Sequence, residues 1–259
     1  MGYFDKYKSE LDALNLSSTE DLENLVVPLV KDATIIEVQK PSVCPENSSL
    51  NSHFGGQPYF EQHEKWPKAK SGQDLDFVFQ IFNEEGLMLP PDIRLVQLFY
   101  DWEEFPWETE DDGWLVKVYR EINPQRRVTI TRPSSAEKTP YCEVTFSPTK
   151  SLPDWEGIRF HSSSALKLSC VLNEDQPWEN YQQVARKIVG EQDYRSQLGG
   201  YPHWIQGEST PVNQKDQGIP LLFQIDSESN AGLMWGDTGL IYVFYDGEAD
   251  KSEFVIQCC

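Results

Sequence analysis

The 259-residue sequence has no long apolar run, little positive charge and no Cys-x-x-Cys pair. No stretch approaches the roughly 20 apolar residues that cross a bilayer. The opening segment MGYFDKYKSELDAL is polar and lacks the apolar centre of a secretory signal, so a cytoplasmic protein without a membrane partner is expected. Basic residues are scarce: 22 Lys and Arg against 42 Asp and Glu give a formal net charge of -20. A field of that sign repels phosphate backbones and anionic headgroups, which excludes direct nucleic-acid binding and favours cationic ligands or basic polypeptides. The same acidity also serves solubility alone. The five cysteines, at 44, 142, 170, 258 and 259, read as free thiols or small core residues of a reducing compartment. The four histidines, 53, 63, 161 and 203, match no helical or zinc-type spacing. They are expected on loops or the surface, with no metal and no cofactor. Gly-x-Ser-x-Gly is absent, and no cysteine stands in a recognised nucleophile setting, so no catalytic residue is assigned.

What is present is a run of local signals. Phe4, Tyr7, Leu11 and Leu14 fall on one helical face. Ser17 and Glu20 have capping-box spacing ahead of Leu22, Leu25 and Val26, and Pro28 should end that helix. Pro177 suits the first turn of a third helix, with Trp178, Tyr181, Ala185 and Ile188 on a shared face. The segments DFVFQIF, RLVQLFYDW, WLVKVYREI, RVTITRP, CEVTFSP, IPLLFQIDS and GLIYVFYDG are short β-branched or aromatic runs bounded by turn residues. A final strand is expected at the C-terminal end. Many strands and few, unevenly placed helices predict an α+β fold with mostly antiparallel sheet.

Two segments share one grammar. SHFGGQPYF and SQLGGYPHW align on their glycine pairs, after which Gln80 meets Gln224 and Tyr100 nearly meets Tyr245. Landmarks kept in register predict a duplicated, pseudo-symmetric unit, with matching cores at about residues 50–105 and 195–259. The domain division is then a helical segment over 1–30 and one domain over 31–259. Gly55, Gly56 and Pro58, and likewise Gly199, Gly200 and Pro202, read as sharp turns. A phosphate loop would need a glycine-rich nest opening a helix, whereas here proline and loop follow.

The stretch DWEEFPWETEDDGW, residues 101–114, carries the strongest binding signal. Seven carboxylates and no basic residue are interleaved with Trp102, Phe105, Trp107 and Trp114. Carboxylates attract Lys and Arg, and aromatic faces accept cations, so Trp102, Glu104, Trp107, Glu108, Asp111 and Asp112 are candidate contacts for a basic peptide. The alternative is a solvated acidic loop whose tryptophans turn inward. The spacing is not that of an EF-hand loop. Trp235, Gly236 and Asp237 read as a tight turn before a strand.

The motifs FGGQPYF, LGGYPHWIQGE, PLLFQIDSE and MWGDTGLIYVFYD together resemble the YwqG-like family of bacterial proteins, a family of unknown function, from about residue 30 onward. The resemblance implies a duplicated α+β fold and distant kinship with the programmed cell death protein 2 group, whose members resemble dedicated chaperones for a ribosomal protein. Bacterial relatives have also been placed among immunity proteins. Gly55, Gly56, Pro58, Gly199, Gly200, Pro202, Gln224, Asp226, Trp235, Gly236 and Asp237 carry the family pattern with no assigned catalytic role. The expected function is a non-enzymatic binding module, chaperone-like or of immunity type, for a basic polypeptide. The alternative is a small-molecule-binding or hydrolytic enzyme with its site at the seam between the halves, using Asp226, Asp237 or a histidine.

Overall fold

The structure, a computed structural model, describes residues 3–133 and 139–259. Two helices open it, α1 (Tyr3–Ala13) and α2 (Thr19–Val26). Strands β1 (Lys31–Val38), β2 (His53–Phe54), β3 (Phe60–Glu61), β4 (Asp76–Phe82), β5 (Leu95–Tyr100), β6 (Trp114–Tyr119), β7 (Arg127–Val128) and β8 (Cys142–Ser151) follow. Helices α3 (Ile158–His161), α4 (Ser163–Leu172) and α5 (Pro177–Val189) then lead to β9 (Gln197–Gly199), β10 (Leu221–Asp226), β11 (Leu240–Asp246) and β12 (Lys251–Gln257).

Ten strands form one antiparallel sheet in the order β12-β11-β10-β9-β1-β8-β2-β4-β5-β6, and β3 pairs separately with β7. The two longest central strands, β1 and β8, pair over their whole length from Lys31↔Ser151 to Val38↔Val144. On their outer sides β1 pairs with β9 and β8 with β2. The strand that opens the chain therefore borders the late strands, and the strand that precedes the helices borders the early ones.

The sheet curls into a nearly closed barrel because β4 and β10 each carry an extra residue. Phe77 and Phe79 face consecutive residues of β5, and Leu221 and Phe223 face consecutive residues of β11. Such bulges increase local twist and bend the strand. The edge strands then meet through side chains: Trp114 stacks on Phe254 at 5.1 Å, and the Arg120 guanidinium donates to the Tyr245 hydroxyl at 2.7 Å. Inside, Phe54, Val78, Phe79, Leu98, Leu198, Leu222, Phe223 and Val243 form one continuous core. Phe79 and Phe223, from β4 and β10, touch edge to face at 5.0 Å, so the middle of the barrel is filled.

A second core binds the helices: Leu11, Leu22, Val26, Ala165, Leu168, Tyr181 and Val184 pack together with Leu152 and Ile158. Tyr7 and Leu11 lie on the buried face of α1, whereas Leu14 is exposed and the Phe4 side chain lies outside the described residues. The capping box sits one residue later than its expected place: Ser18 Oγ accepts the Asp21 N–H and the Asp21 carboxylate accepts the Ser18 N–H at 2.9 Å. Helix α2 ends at Val26, before Pro28, and α5 begins at Pro177, as read. The strand over 127–133 shrinks to Arg127–Val128, while β8 continues through Pro148 to Ser151. Proline is tolerated there because beyond Glu143 β8 has only β1 as a strand neighbour.

Candidate functional site

The glycine turns are built by close packing. Gly55 and Gly199 have φ of +56° and +61°, and a Cβ on Gly55 would lie 2.1 Å from the Thr139 carbonyl oxygen. Each turn is then locked by a buried glutamine. Gln80 Oε1 accepts the Tyr59 N–H at 2.8 Å, and its amide donates to the Asn51 carbonyl at 2.7 Å. Gln224 Oε1 accepts the His203 N–H at 3.0 Å, and its amide donates to the Arg195 carbonyl at 2.8 Å. Pro58 and Pro202 are buried beside these bonds. Trp235 is fully buried and donates through Nε1 to the Asp226 carbonyl at 3.1 Å, Gly236 turns at φ +60°, and Asp237 is exposed. Burial raises the Asp226 pKa, while its carboxylate accepts the Ser227 N–H at 2.7 Å.

The 101–114 stretch seals the barrel between its edge strands. Asp101 is buried and accepts the N–H groups of Glu103 and Glu104. Asp111 accepts those of Trp107 and Glu108, and Asp112 accepts that of Lys70 at 2.7 Å. Trp102 stacks on Trp235 at 4.8 Å. The Ile256 N–H donates to the Trp107 carbonyl, and the Phe254 N–H donates to Thr109 Oγ1 at 2.7 Å. Trp107, 45 % exposed, and the Glu104 and Glu108 side chains remain on the surface. Four of the six candidate side chains, Trp102, Trp107, Asp111 and Asp112, are thus engaged within the loop and its neighbours.

The histidines divide. His63 and His161 are exposed, whereas His53 and His203, expected on loops or the surface, are buried. The reason is the turn geometry: each flanks a Gly-Gly pair whose packing draws it beneath the barrel wall. His53 Nδ1 bonds to the Gly55 carbonyl at 2.7 Å. Burial depresses both rings to about 4. Among the described residues no group of three or more His, Cys, Asp or Glu side chains is placed to hold a metal.

A concavity lies elsewhere, outside the second Gly-Gly turn. A cavity of about 1020 Å³ opens between the 153–156 turn after β8, the outer face of α5, the 190–194 connection and residues 203–206. Asp154 pins two of these walls: Oδ1 accepts the Gly157 N–H and Oδ2 the Trp204 N–H, both at 2.8 Å. Its enclosure raises its pKa to about 6, with the two N–H bonds opposing the shift and the neighbouring Glu208 and Glu156 adding to it. Tyr181, from α5, donates to the Pro153 carbonyl at 2.5 Å, and Gly190 turns the chain out of α5 at φ +80°. Trp155, Trp178, Trp204 and Tyr194 supply aromatic surface; Asp154, Glu156, Glu191 and Asp193 supply carboxylates. The one guanidinium in the lining, Arg186, pairs through Nε with Glu191 at 3.2 Å. His203 closes the inner wall, 5 % exposed, and its Nε2 has no partner among the described residues.

None of the candidate contacts at 101–114 and none of the motif glycines lines this cavity. The sequence reading passed over it because its carboxylates and rings come from four separated segments, LPDWEG, QPWEN, EQDYR and PHWIQ, none dense enough in carboxylates and rings together to stand out as a binding site. Trp178 was legible only as part of a helix face. It is 41 % exposed, in contrast to Tyr181 and Ala185, which turn into the helical core.

A family model described as a domain of unknown function (DUF1963) matches residues 52–252. No curated protein matches the chain.

Proposed function

The chain belongs to this family of domains of unknown function (DUF1963), and we propose that it is a non-enzymatic binding module that holds a cationic side chain of a basic polypeptide in the cavity beside α5. The observation that carries the reading is the lining itself: four carboxylates and five indole or phenol rings line one space, with a single cation in the lining already paired to Glu191. A cation entering such a site gains Coulomb attraction in reduced dielectric and contact with ring faces. The chain treats one of its own cations this way: Lys117 Nζ lies 4.7 Å from the Phe60 ring centroid and 4.6 Å from that of Tyr119, and pairs with Glu64 at 2.6 Å.

The duplication belongs to the same proposal. Its support is that Gln80 and Gln224, the bulges at Phe77/Phe79 and Leu221/Phe223, and the bridges Lys68↔Asp74 and Val212↔Gly218 recur in one register. In that register Phe60 corresponds to Trp204 and Glu64 to Glu208, but the place of Lys117 falls to Val255. The first half supplies its own cation to Glu64, whereas in the second half Glu208 accepts the Trp204 Nε1–H at 3.0 Å and the Thr210 N–H at 2.7 Å. Free thiols at all five cysteines are in keeping with a cytoplasmic setting, and the YwqG-like resemblance with a chaperone-like or immunity role.

The test is titration of basic and acidic peptides against the chain, followed by tryptophan fluorescence at low and high salt. Binding of the basic peptide alone, weakened by salt and by Trp178→Ala but not by Trp107→Ala, is expected. Loss with Trp107→Ala or with Glu108, Asp111 and Asp112 reversed, and none with Trp178→Ala, would move the site to the 101–114 loop.

A further inference from the structure

The cavity differs from the Lys117 site in what it leaves unsatisfied. An ammonium is a compact point charge, and at Lys117 one carboxylate and two ring faces meet its needs. The cavity offers more. Asp154 spends one lone pair of each carboxylate oxygen on backbone N–H groups and keeps the rest, Glu156 and Asp193 are exposed along its sides, and His203 lies in the wall with a buried imidazole Nε2 that has no partner among the described residues. Burial and the neighbouring Arg195 charge keep that ring neutral, so it carries one acceptor nitrogen. Trp155 and Trp178 add flat apolar faces.

A planar cation with several diverging N–H donors answers this set, and a point charge does not. Guanidinium has five donors in a fixed plane, stacks on aromatic faces and is more weakly hydrated than ammonium, so it enters an enclosed aromatic site at lower cost. We propose that the cavity selects guanidinium over ammonium, that its occupant is an arginine side chain of the partner, and that His203 determines this selectivity. The inference rests on the cavity being the binding site proposed above.

The experiment uses N-acetyl-arginine amide and N-acetyl-lysine amide as probes of the full chain, with affinity read by calorimetry and the imidazole nitrogens by NMR. Arginine is expected to bind about tenfold tighter or more, and to shift the His203 ring nitrogens where lysine does not. His203→Phe is expected to bring the two affinities to within about twofold while both probes still bind. Equal affinities in the unaltered chain, or His203 resonances that do not move with arginine, overturn the selectivity and leave the binding site standing. Binding of neither probe overturns both. Should His203→Phe fail to fold, the ring resonances of the unaltered chain decide.

Discussion

Acidification should destabilise this protein through its two buried imidazoles. His53 and His203 are held near 4, against an ordinary value of 6.5. Between those values the unfolded chain binds protons that the folded chain refuses, so stability is present above pH 6.5 and is lost as the pH falls toward 4. For each ring, moving from pH 7 to pH 4.5 removes about 2 kcal/mol. Asp154 acts in the opposite direction: its folded pKa of about 6 lies above the ordinary carboxyl value, so the folded state takes up its proton first and regains roughly 2 kcal/mol over the same interval. The three groups together leave a net loss of about 2 kcal/mol, to which the rest of the titrating surface adds its own slope. Urea melts at the two pH values measure it. His203→Phe, which removes a ring whose Nε2 has no partner among the described residues, should reduce the difference between pH 7 and pH 4.5 by about 2 kcal/mol, and His53→Leu should do the same whatever it costs at pH 7. If both variants keep the full pH dependence of the parent, the imidazoles are not its cause and the reasoning fails.

Gln80→Met strands the Tyr59 N–H and the Ser49 and Asn51 carbonyls, and Gln224→Met strands the His203 N–H and the Arg195 carbonyl, so both should destabilise by roughly 2–5 kcal/mol in denaturant melts, Gln80 the more. Gly55→Ala meets backbone oxygen at a positive φ and should cost upward of about 3 kcal/mol, while Ala at Gly207, which has open space, should cost under about 1 kcal/mol. Trp102→Ala removes the ring stacked on Trp235 and should lower stability by about 2–4 kcal/mol, against about 1 kcal/mol or less for the more exposed Trp107→Ala. Cation binding in the cavity should weaken as the pH drops through about 6, where Asp154 takes up its proton, and calorimetry across pH 5 to 7.5 would show a flat affinity if Asp154 faces no bound charge.

Alternating or continuous apolar runs made β4, β5, β10 and β11 legible, because each buries both faces against the barrel core and an outer cluster. β1 was not read as a strand: in KDATIIEV the face that carries Ile36 and Val38 into the core begins with polar Thr34, and the buried residue on the opposite face is the small Ala33. Helices α3 and α4 hid behind three consecutive serines, one of which, Ser162, caps α4 by accepting the Ala165 N–H. The acidic stretch at 101–114 drew attention through local density, but density in sequence does not reveal which carboxylates are spent on neighbouring amides. The cavity has the opposite character. Its Asp154, Trp178, Tyr194 and His203 converge only because the 153–157 turn, α5 and the second glycine turn are fastened to one another by Asp154 and Tyr181.

The position of β1 has a practical consequence for cutting this protein. The matched family region begins at residue 52, yet β1 lies at residues 31–38, in the middle of the sheet and hydrogen-bonded on both sides. A fragment trimmed to the matched region would lose the rung that joins β8 to β9 and would present a long raw edge on β8 and a short one on β9, and such an edge is the usual template for aggregation. Conversely, a peptide spanning β1 is a natural reagent for fragment complementation. Supplied in trans, it has a defined slot, a defined register and neighbours waiting on either flank.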